Sequence, residues 1–286
     1  MEVHIMFEMD FVSLVPSLNC NLKCKFCNAR VPYLKNIKTH TVEEMMEMTD
    51  RMFKIVDLVH QITIGGGEVL LYKDLPVLIR ELMRYKNQFE KIEIITNGTI
   101  VPSEELISAV KNCGEKFRRF LVDDYGRDLS KKVPEIVDVL EKNQIVYQVN
   151  DYWSENMYYG GWTDMGTYIE YIHTPEEASE ITKKCVFSSS RGFCYNIHRG
   201  IADPCGKILV RLDAGLEVNP DEYIDLFDDS VTIEQQREKI NRINSATHLD
   251  FCRGCNGLYP GCKRIKPAEQ LTSEELQQIR QGLNKF

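Results

Sequence analysis

Short apolar runs recur along the first half of the chain, each followed by a stretch in which apolar residues return every three or four positions. Phe11–Val15, Gln61–Ile64, Lys91–Ile95, Phe117–Val122 and Gln144–Val149 read as strands closed by Gly, Asn or Asp. From the second onward they start roughly 26 to 30 residues apart, the length of a strand–helix–strand unit. Between the first two, Thr41 and Glu44 form a T-x-x-E capping box ahead of a stripe of Val42, Met45, Met46, Met52, Phe53, Val56 and Val59. Asp74 and Ser103 mark the starts of two further helices, with Leu78, Ile79 and Leu82, then Leu106, Ile107 and Val110, as buried stripes. Val133, Ile136, Val137 and Leu140 mark a fourth. Repetition of this kind predicts a parallel sheet with helices outside it.

After about residue 185 the pattern changes. Strands shorten and helices vanish until Thr272 and Glu275, which form another capping box; Leu271 and Leu276 can staple it, and Ile279 and Leu283 continue its stripe. The chain is therefore expected to divide into residues 1–184 and 185–286, the second part ending in a docked helix.

Composition narrows the class. The 286 residues carry a net charge of −8, with 43% hydrophobic and 27% charged residues, so no basic field exists to draw nucleic acid or anionic lipid. No apolar run approaches the roughly 20 residues that span a bilayer. The N-terminal MEVHIMFEMDF lacks the basic, apolar and small-residue order of a secretory signal, which points to a cytoplasmic protein. Ten cysteines in a reducing compartment call for metal in place of disulfides. They form two groups, Cys20, Cys24 and Cys27 near the start and Cys185, Cys194, Cys205, Cys252, Cys255 and Cys262 near the end, with only Cys113 between them.

Cys20-Asn-Leu-Lys-Cys24-Lys-Phe-Cys27 follows the first strand, at the carboxyl end of the sheet where sites of parallel α/β folds form. Three thiolates can hold a [4Fe-4S] cluster with one iron open. The C-x3-C-x2-C spacing, with Phe26 before the last cysteine, resembles the signature of the radical S-adenosylmethionine superfamily. In that family the open iron binds the methionyl part of the cofactor, and an electron from the cluster cleaves it to a 5′-deoxyadenosyl radical. Gly65-Gly66-Gly67-Glu68, ending the second strand, is similar to the family's glycine-rich motif, in which backbone and Glu meet the cofactor's amino group. Thr96 and Asn97 end the third strand and Asp123 the fourth, where the resemblance implies further cofactor contacts. It covers residues 9 to 175 and implies a partial (β/α)6 TIM-type barrel.

The second group resembles the auxiliary-cluster region of the SPASM and twitch subfamilies. Cys185 is followed by Gly200 and Cys205, and then by Cys252-Arg-Gly-Cys255 and Cys262. Twitch, with one auxiliary [4Fe-4S] cluster, implies Cys185, Cys205, Cys252 and Cys255 as ligands. Cys194 is an alternative to Cys185, Cys262 resembles the third cysteine of the fuller SPASM pattern, and two separated pairs also describe a zinc ribbon.

The resemblance implies hydrogen-atom abstraction from a small molecule or a peptide, with an external donor such as flavodoxin or ferredoxin supplying electrons. Oxidation of a small alcohol, sugar or aminocyclitol is the favoured outcome. Epimerisation, with Cys194, Cys262 or Cys113 as thiol donor, and peptide maturation stand beside it. A non-catalytic electron carrier or zinc-binding module is the reading from another class. Candidate substrate residues are Arg191, Asp151 and Tyr152, with Asp123, Asp124 and Arg127 in neighbouring loops; Arg191 suits an alkoxide or carboxylate. Tyr152, Trp153, Tyr158, Tyr159 and Trp162, with Gly160 and Gly161 as a hinge, form a candidate lid.

Overall fold

A computed structural model describes residues 6–189 and 192–281. Five strands run in chain order and in parallel: β1 (Glu8–Ser17), β2 (Leu58–Gly66), β3 (Phe89–Thr96), β4 (Phe117–Asp124) and β5 (Tyr147–Asp151). Four helices alternate with them, α1 (Val42–Ile55), α2 (Leu75–Leu82), α3 (Glu104–Asn112) and α4 (Val133–Lys142). All five expected strands are present. The Thr41–Glu44 capping box starts α1, but the helix ends before its stripe does. Val56 closes the last turn on the Met52 carbonyl, and Val59 already pairs with Met9 of β1.

Side-chain alternation gives the sheet two faces of different chemistry. Val12, Leu14, Ile62, Ile64, Ile92, Ile94, Phe120 and Val122 join the helices in the main core. Their neighbours Ser13, Val15, Gln61, Thr63 and Glu93 line a cavity on the other face. Strands buried on both faces by packing alone read as continuous apolar runs. Here one face is polar because it encloses space.

The sheet continues past residue 184. Strands β6 (Tyr195–His198), β7 (Ile201–Pro204) and β8 (Ile224–Asp225) extend it to eight strands, in the order β8-β7-β6-β1-β2-β3-β4-β5. β6 is parallel to β1, pairing Val12 with Tyr195 and Leu14 with Ile197, while β7 and β8 return antiparallel. The sixth parallel strand thus flanks β1 at the opposite edge from β5. Tyr195 and Ile197 are buried in the same core as the helices of the first half.

α5 (Pro175–Thr182) precedes the stretch expected to lack helices, and α7 (Ile233–Ser245) lies within it; both begin with capping boxes, Thr174 with Glu177 and Thr232 with Gln235. α6 (Lys207–Asp213) carries no stripe because nearly every residue in it is buried, including Lys207, Arg211 and Asp213. α8 (Ser273–Arg280) closes the described chain behind the expected Thr272–Glu275 box; Leu283 lies outside the described residues. No helix among the described residues is long and apolar enough to cross a membrane.

Cutting the chain at the expected boundary would bare the β1 edge and remove Tyr195 and Ile197 from the core. Residues 1–184 alone are expected to melt without cooperativity and to bind a hydrophobic dye. A cooperative melt near that of the full chain, read by circular dichroism, would refute a single core.

Candidate functional site

Cys20, Cys24 and Cys27 lie on the loop between β1 and α1 and line one cavity of about 670 Å³ over the face of the sheet opposite the helix-packed core. The loop turns on itself, the Cys27 N–H donating to the Cys24 carbonyl at 3.2 Å and Arg30 N–H to the Cys27 carbonyl at 2.9 Å. A second strap comes from the far end of the chain. Lys25 N–H donates to the Glu269 carbonyl (2.7 Å) and Leu271 N–H to the Lys23 carbonyl (2.9 Å). Gln270 lies between, its Oε1 accepting from Lys23 N–H at 2.7 Å and its Nε2 donating to Cys24 Sγ at 3.2 Å. Nothing in the sequence singled out Gln270, because its partner is 246 residues away.

Burial pushes the Cys20 thiol up and the Cys24 thiol to about 12, and negative charge on Cys27 beside them raises both further. Thiols raised in this way stay protonated unless a cation compensates them, so Cys20 and Cys24 suit a metal cluster that displaces the protons. Among the described residues, no three His, Cys, Asp or Glu side chains converge on a single metal-ion position.

The glycine motif packs directly against the start of this loop. A Cβ at Gly66, whose φ is +132°, would lie 2.3 Å from the Ser17 carbonyl oxygen, and one at Gly67 would lie 2.1 Å from that of Asn19. Gly67 N–H donates to the Ser17 carbonyl (3.1 Å) and Glu68 N–H to the Asn19 carbonyl (2.8 Å). Two glycines are therefore required by the approach of the β2 end onto the β1 end. Gly65 has no such neighbour. Gly66 and Gly67 line the cavity, as do Phe26, Thr96, Asn97 and Asp123. Glu68 is 1% exposed, and its carboxylate accepts from Leu70 N–H (2.9 Å), Thr96 Oγ1 (2.8 Å) and Asn97 N–H (2.7 Å). Three donors hold this carboxylate as a clasp between the ends of β2 and β3.

On the same face of the sheet, one network crosses four strands. Glu93 of β3 accepts from Gln61 Nε2 at 2.6 Å, Thr63 Oγ1 at 3.1 Å and Arg119 Nε at 3.2 Å. Arg119 Nη1 donates to Gln148 Oε1 (2.8 Å), Gln148 Nε2 to Asn150 Oδ1 (2.6 Å), and Asn150 Nδ2 to Asp123 Oδ1 (2.8 Å). An irregularity in the β3–β4 register between Ile92 and Glu93 sets Glu93 opposite Arg119. Burial pushes the Asp123 carboxyl up to about 6, with hydrogen bonds from Asn150 and Tyr125 opposing the shift. Above it Tyr125 stacks on Tyr152 with ring centroids 5.6 Å apart, and Trp162 meets both rings edge-on.

The second cysteine group divides. Cys185, Cys205, Cys252 and Cys255 line a separate apolar cavity of about 30 Å³, whereas Cys194 lines the large one. Cys205 lines both. It sits at a left-handed φ of 59°, followed by Gly206 at 69°, where β7 turns into α6. Cys262 lies apart, its Sγ 3.2 Å from Thr163 Oγ1. Cys113 is buried in the core with its thiol donating to the Ala109 carbonyl.

The candidate substrate residues also separate. Tyr152, Tyr159, Gly161 and Trp162 line the large cavity. Asp151 instead ties a turn, its Oδ1 accepting from Trp153 and Ser154 N–H, and Asp124 accepts from Gly126 N–H and Trp153 Nε1. Arg127 is exposed. Arg191 lies outside the described residues. Sequence reading missed Gln61, Thr63, Glu93 and Arg119, since polar residues inside strands are recognisable as cavity wall only once the opposite face is known to be the core.

The Radical SAM superfamily model matches residues 14–123. A probable GTP 3′,8-cyclase of Methanococcus aeolicus is 32% identical over 123 residues, 43% of this chain and 39% of that protein. GTP 3′,8-cyclase of Nautilia profundicola is 27% identical over 139 residues, 47% and 41% of the two chains. The chain thus spans about two fifths of the length of the curated relatives it matches. Among solved structures, BtrN in complex with AdoMet and 2-DOIA is 16% identical, with 93% of this chain and 100% of that one covered and a TM-score of 0.53. Native anSMEcpe with bound AdoMet is 15% identical, with 95% of each covered and a TM-score of 0.51. Both share the fold.

Gly67→Ala is expected to cost about 2–4 kcal/mol, because its Cβ meets backbone that cannot step aside. Gly65→Ala, with open space around it, should stay within about 0.5 kcal/mol of wild type. Denaturant melts of the metal-free protein separate the two, and equal losses would contradict the packing account.

Proposed function

From a chain that carries a radical SAM domain over residues 14–123, and so uses a [4Fe-4S] cluster and S-adenosylmethionine, we propose an enzyme that takes a hydrogen atom from a small polar substrate in the 670 Å³ cavity and oxidises it by two electrons. The substrate class is an alcohol, sugar or aminocyclitol. Cys20, Cys24 and Cys27 would hold the first cluster. Phe26, Gly65, Gly66, Gly67, Glu68, Thr96, Asn97 and Asp123 would form the cofactor's surroundings. When bound, cluster and cofactor together supply the hydrogen-atom abstraction.

The observation that carries the oxidative reading is the adjacency of the two cavities. Cys185, Cys205, Cys252 and Cys255 surround the smaller, and Cys205 also lines the larger. Read as a twitch-like auxiliary [4Fe-4S] site, the four would supply an electron acceptor beside the substrate, with flavodoxin or ferredoxin as the outside donor to the first site. Domain limits of 1–184 and 185–286 belong to the same reading, although the sheet spans both.

The charge of the wall supports a substrate without polyphosphate. Its described lining offers Lys207 and Arg264 as cations against Glu93, Asp123 and Asp203, whereas the name of the cyclase relatives points to a nucleotide triphosphate. Hydroxyl and amine groups match a wall of Gln61, Thr63, Glu93 and Tyr152 better.

A second reading, epimerisation, is favoured by Cys194. It is a free thiol in the large cavity, and burial holds it protonated with its pKa pushed up to about 11, so it retains a hydrogen atom to give. Tyr152 would then orient the substrate in either case.

Anaerobically reconstituted protein given dithionite and S-adenosylmethionine is expected to release 5′-deoxyadenosine, and Cys24→Ala to reduce that by at least a hundredfold. No product from iron-loaded wild type would refute the enzyme reading. With a turned-over substrate in deuterated water, an oxidised product free of solvent deuterium supports the dehydrogenase. Deuterium at the reacting carbon, lost in Cys194→Ala, would replace it with the epimerase.

A further inference from the structure

Lys207 begins α6, two residues after Cys205, and is 3% exposed. Its Nζ donates to the backbone carbonyl of Asn28 at 2.8 Å and to Asn28 Oδ1 at 2.6 Å, and stands 4.2 Å from the centroid of the Tyr168 ring. Every one of these partners is neutral. Asp203, the nearest buried carboxylate in sequence, spends its oxygens on the Ile208 and Leu209 N–H groups at the start of α6. Among the described residues no carboxylate hydrogen-bonds or ion-pairs with Lys207 Nζ, although Asp203 attracts it through space.

An ammonium removed from water without a directly paired anion is costly. What compensates it must lie close by, and both cavities adjoin it. Lys207 lines the large one with Cys27 and the small one with Cys205 and Cys255. Cys27 immediately precedes Asn28, whose two oxygens hold the ammonium. These thiols are neutral when protonated and become negative when they ligate iron, so the compensating charge arrives with the clusters.

We propose that Lys207 is the fixed counter-cation shared by the two cysteine sites and that it raises the reduction potential of the second, making it a better electron acceptor. The inference rests on the reading of Cys185, Cys205, Cys252 and Cys255 as an iron–sulfur site. A positive charge held in a low-dielectric interior favours the reduced, more negative state of a neighbouring cluster. Through Asn28 the same charge is tied to the first loop, so one residue senses both sites.

The test uses the full-length protein, reconstituted and counted for iron and sulfide before an EPR-monitored redox titration. Lys207→Met, which keeps the length and removes the charge, is expected to lower the reduced-to-oxidised ratio of the second cluster about tenfold at fixed potential, equivalent to about 59 mV. Lys207→Arg should restore it. An unchanged ratio in Lys207→Met at full iron content overturns the inference while leaving the cluster reading intact. If Lys207→Met loses the second cluster and Lys207→Arg retains it, the charge is required to hold the site and the inference stands; loss in both would show that shape, not charge, matters, and overturn it. Wild type with about four irons per chain in place of about eight would sink the cluster reading and this inference together.

Discussion

The close approach of two strand ends is the constraint from which the rest of the site follows. Where β2 meets β1, the backbone of Gly66 and Gly67 comes so near the Ser17 and Asn19 carbonyls that no side chain fits between them. Hydrogen bonds from Gly67 and Glu68 to those carbonyls fix the path of the chain from the end of β1 at Ser17 to Asn19, the residue before Cys20. Glu68 then carries the constraint sideways, since its buried carboxylate gathers Thr96 and Asn97 from the end of β3. Asn97 in turn sets its amide against Cys20 Sγ and Asn21 Oδ1. A conformational requirement of two glycines thereby becomes the position of a thiol.

The C-terminal half completes this arrangement from two directions. β6 pairs with β1 and brings Cys194, Asn196 and His198 to the cavity wall. The 269–271 segment straps the loop from outside and delivers the Gln270 amide to Cys24. An N–H donor to a thiolate stabilises its negative charge, so residues from the end of the chain help set the electronic character of cysteines at its beginning. The two cysteine groups are far apart in sequence, yet Cys205, Lys207 and the shared cavity edge make them neighbours.

Much of the sheet was legible in the sequence because strand and helix periods differ and capping boxes are local. Phe11, Gln61, Lys91, Phe117 and Val149 all fall within observed strands. The boxes at Thr174 and Thr232 carried the same signal, but the density of cysteine, glycine and acidic residues around them obscured it. α6 had no pattern to detect, since a helix buried all round has no polar face. For the site, residues with a distinctive local spacing were found: the three cysteines, the glycine motif, and the four thiols that share the small cavity. Gln270 and Lys207 were not, because each acts through a partner distant in sequence and neither belongs to a spaced motif. Asp151 looked like a cavity residue from its place at a strand end, yet the turn after β5 needs its carboxylate for Trp153 and Ser154.

The wall network limits how a ligand can be held. Glu93 is 4% exposed and already accepts three hydrogen bonds, two from neutral side chains and one from Arg119. A buried network satisfied to this degree is rigid, and breaking it to admit a charged ligand would strand its carboxylate. A ligand must therefore add to the network instead of replacing a member. Hydroxyl groups do so readily, each giving one hydrogen bond and accepting others, and the stacked Tyr125 and Tyr152 offer an apolar surface for the carbon skeleton that bears them. Under the proposed function, such a wall would hold a substrate by its polar groups and leave its carbon–hydrogen bonds free of partners, the presentation that hydrogen-atom abstraction requires.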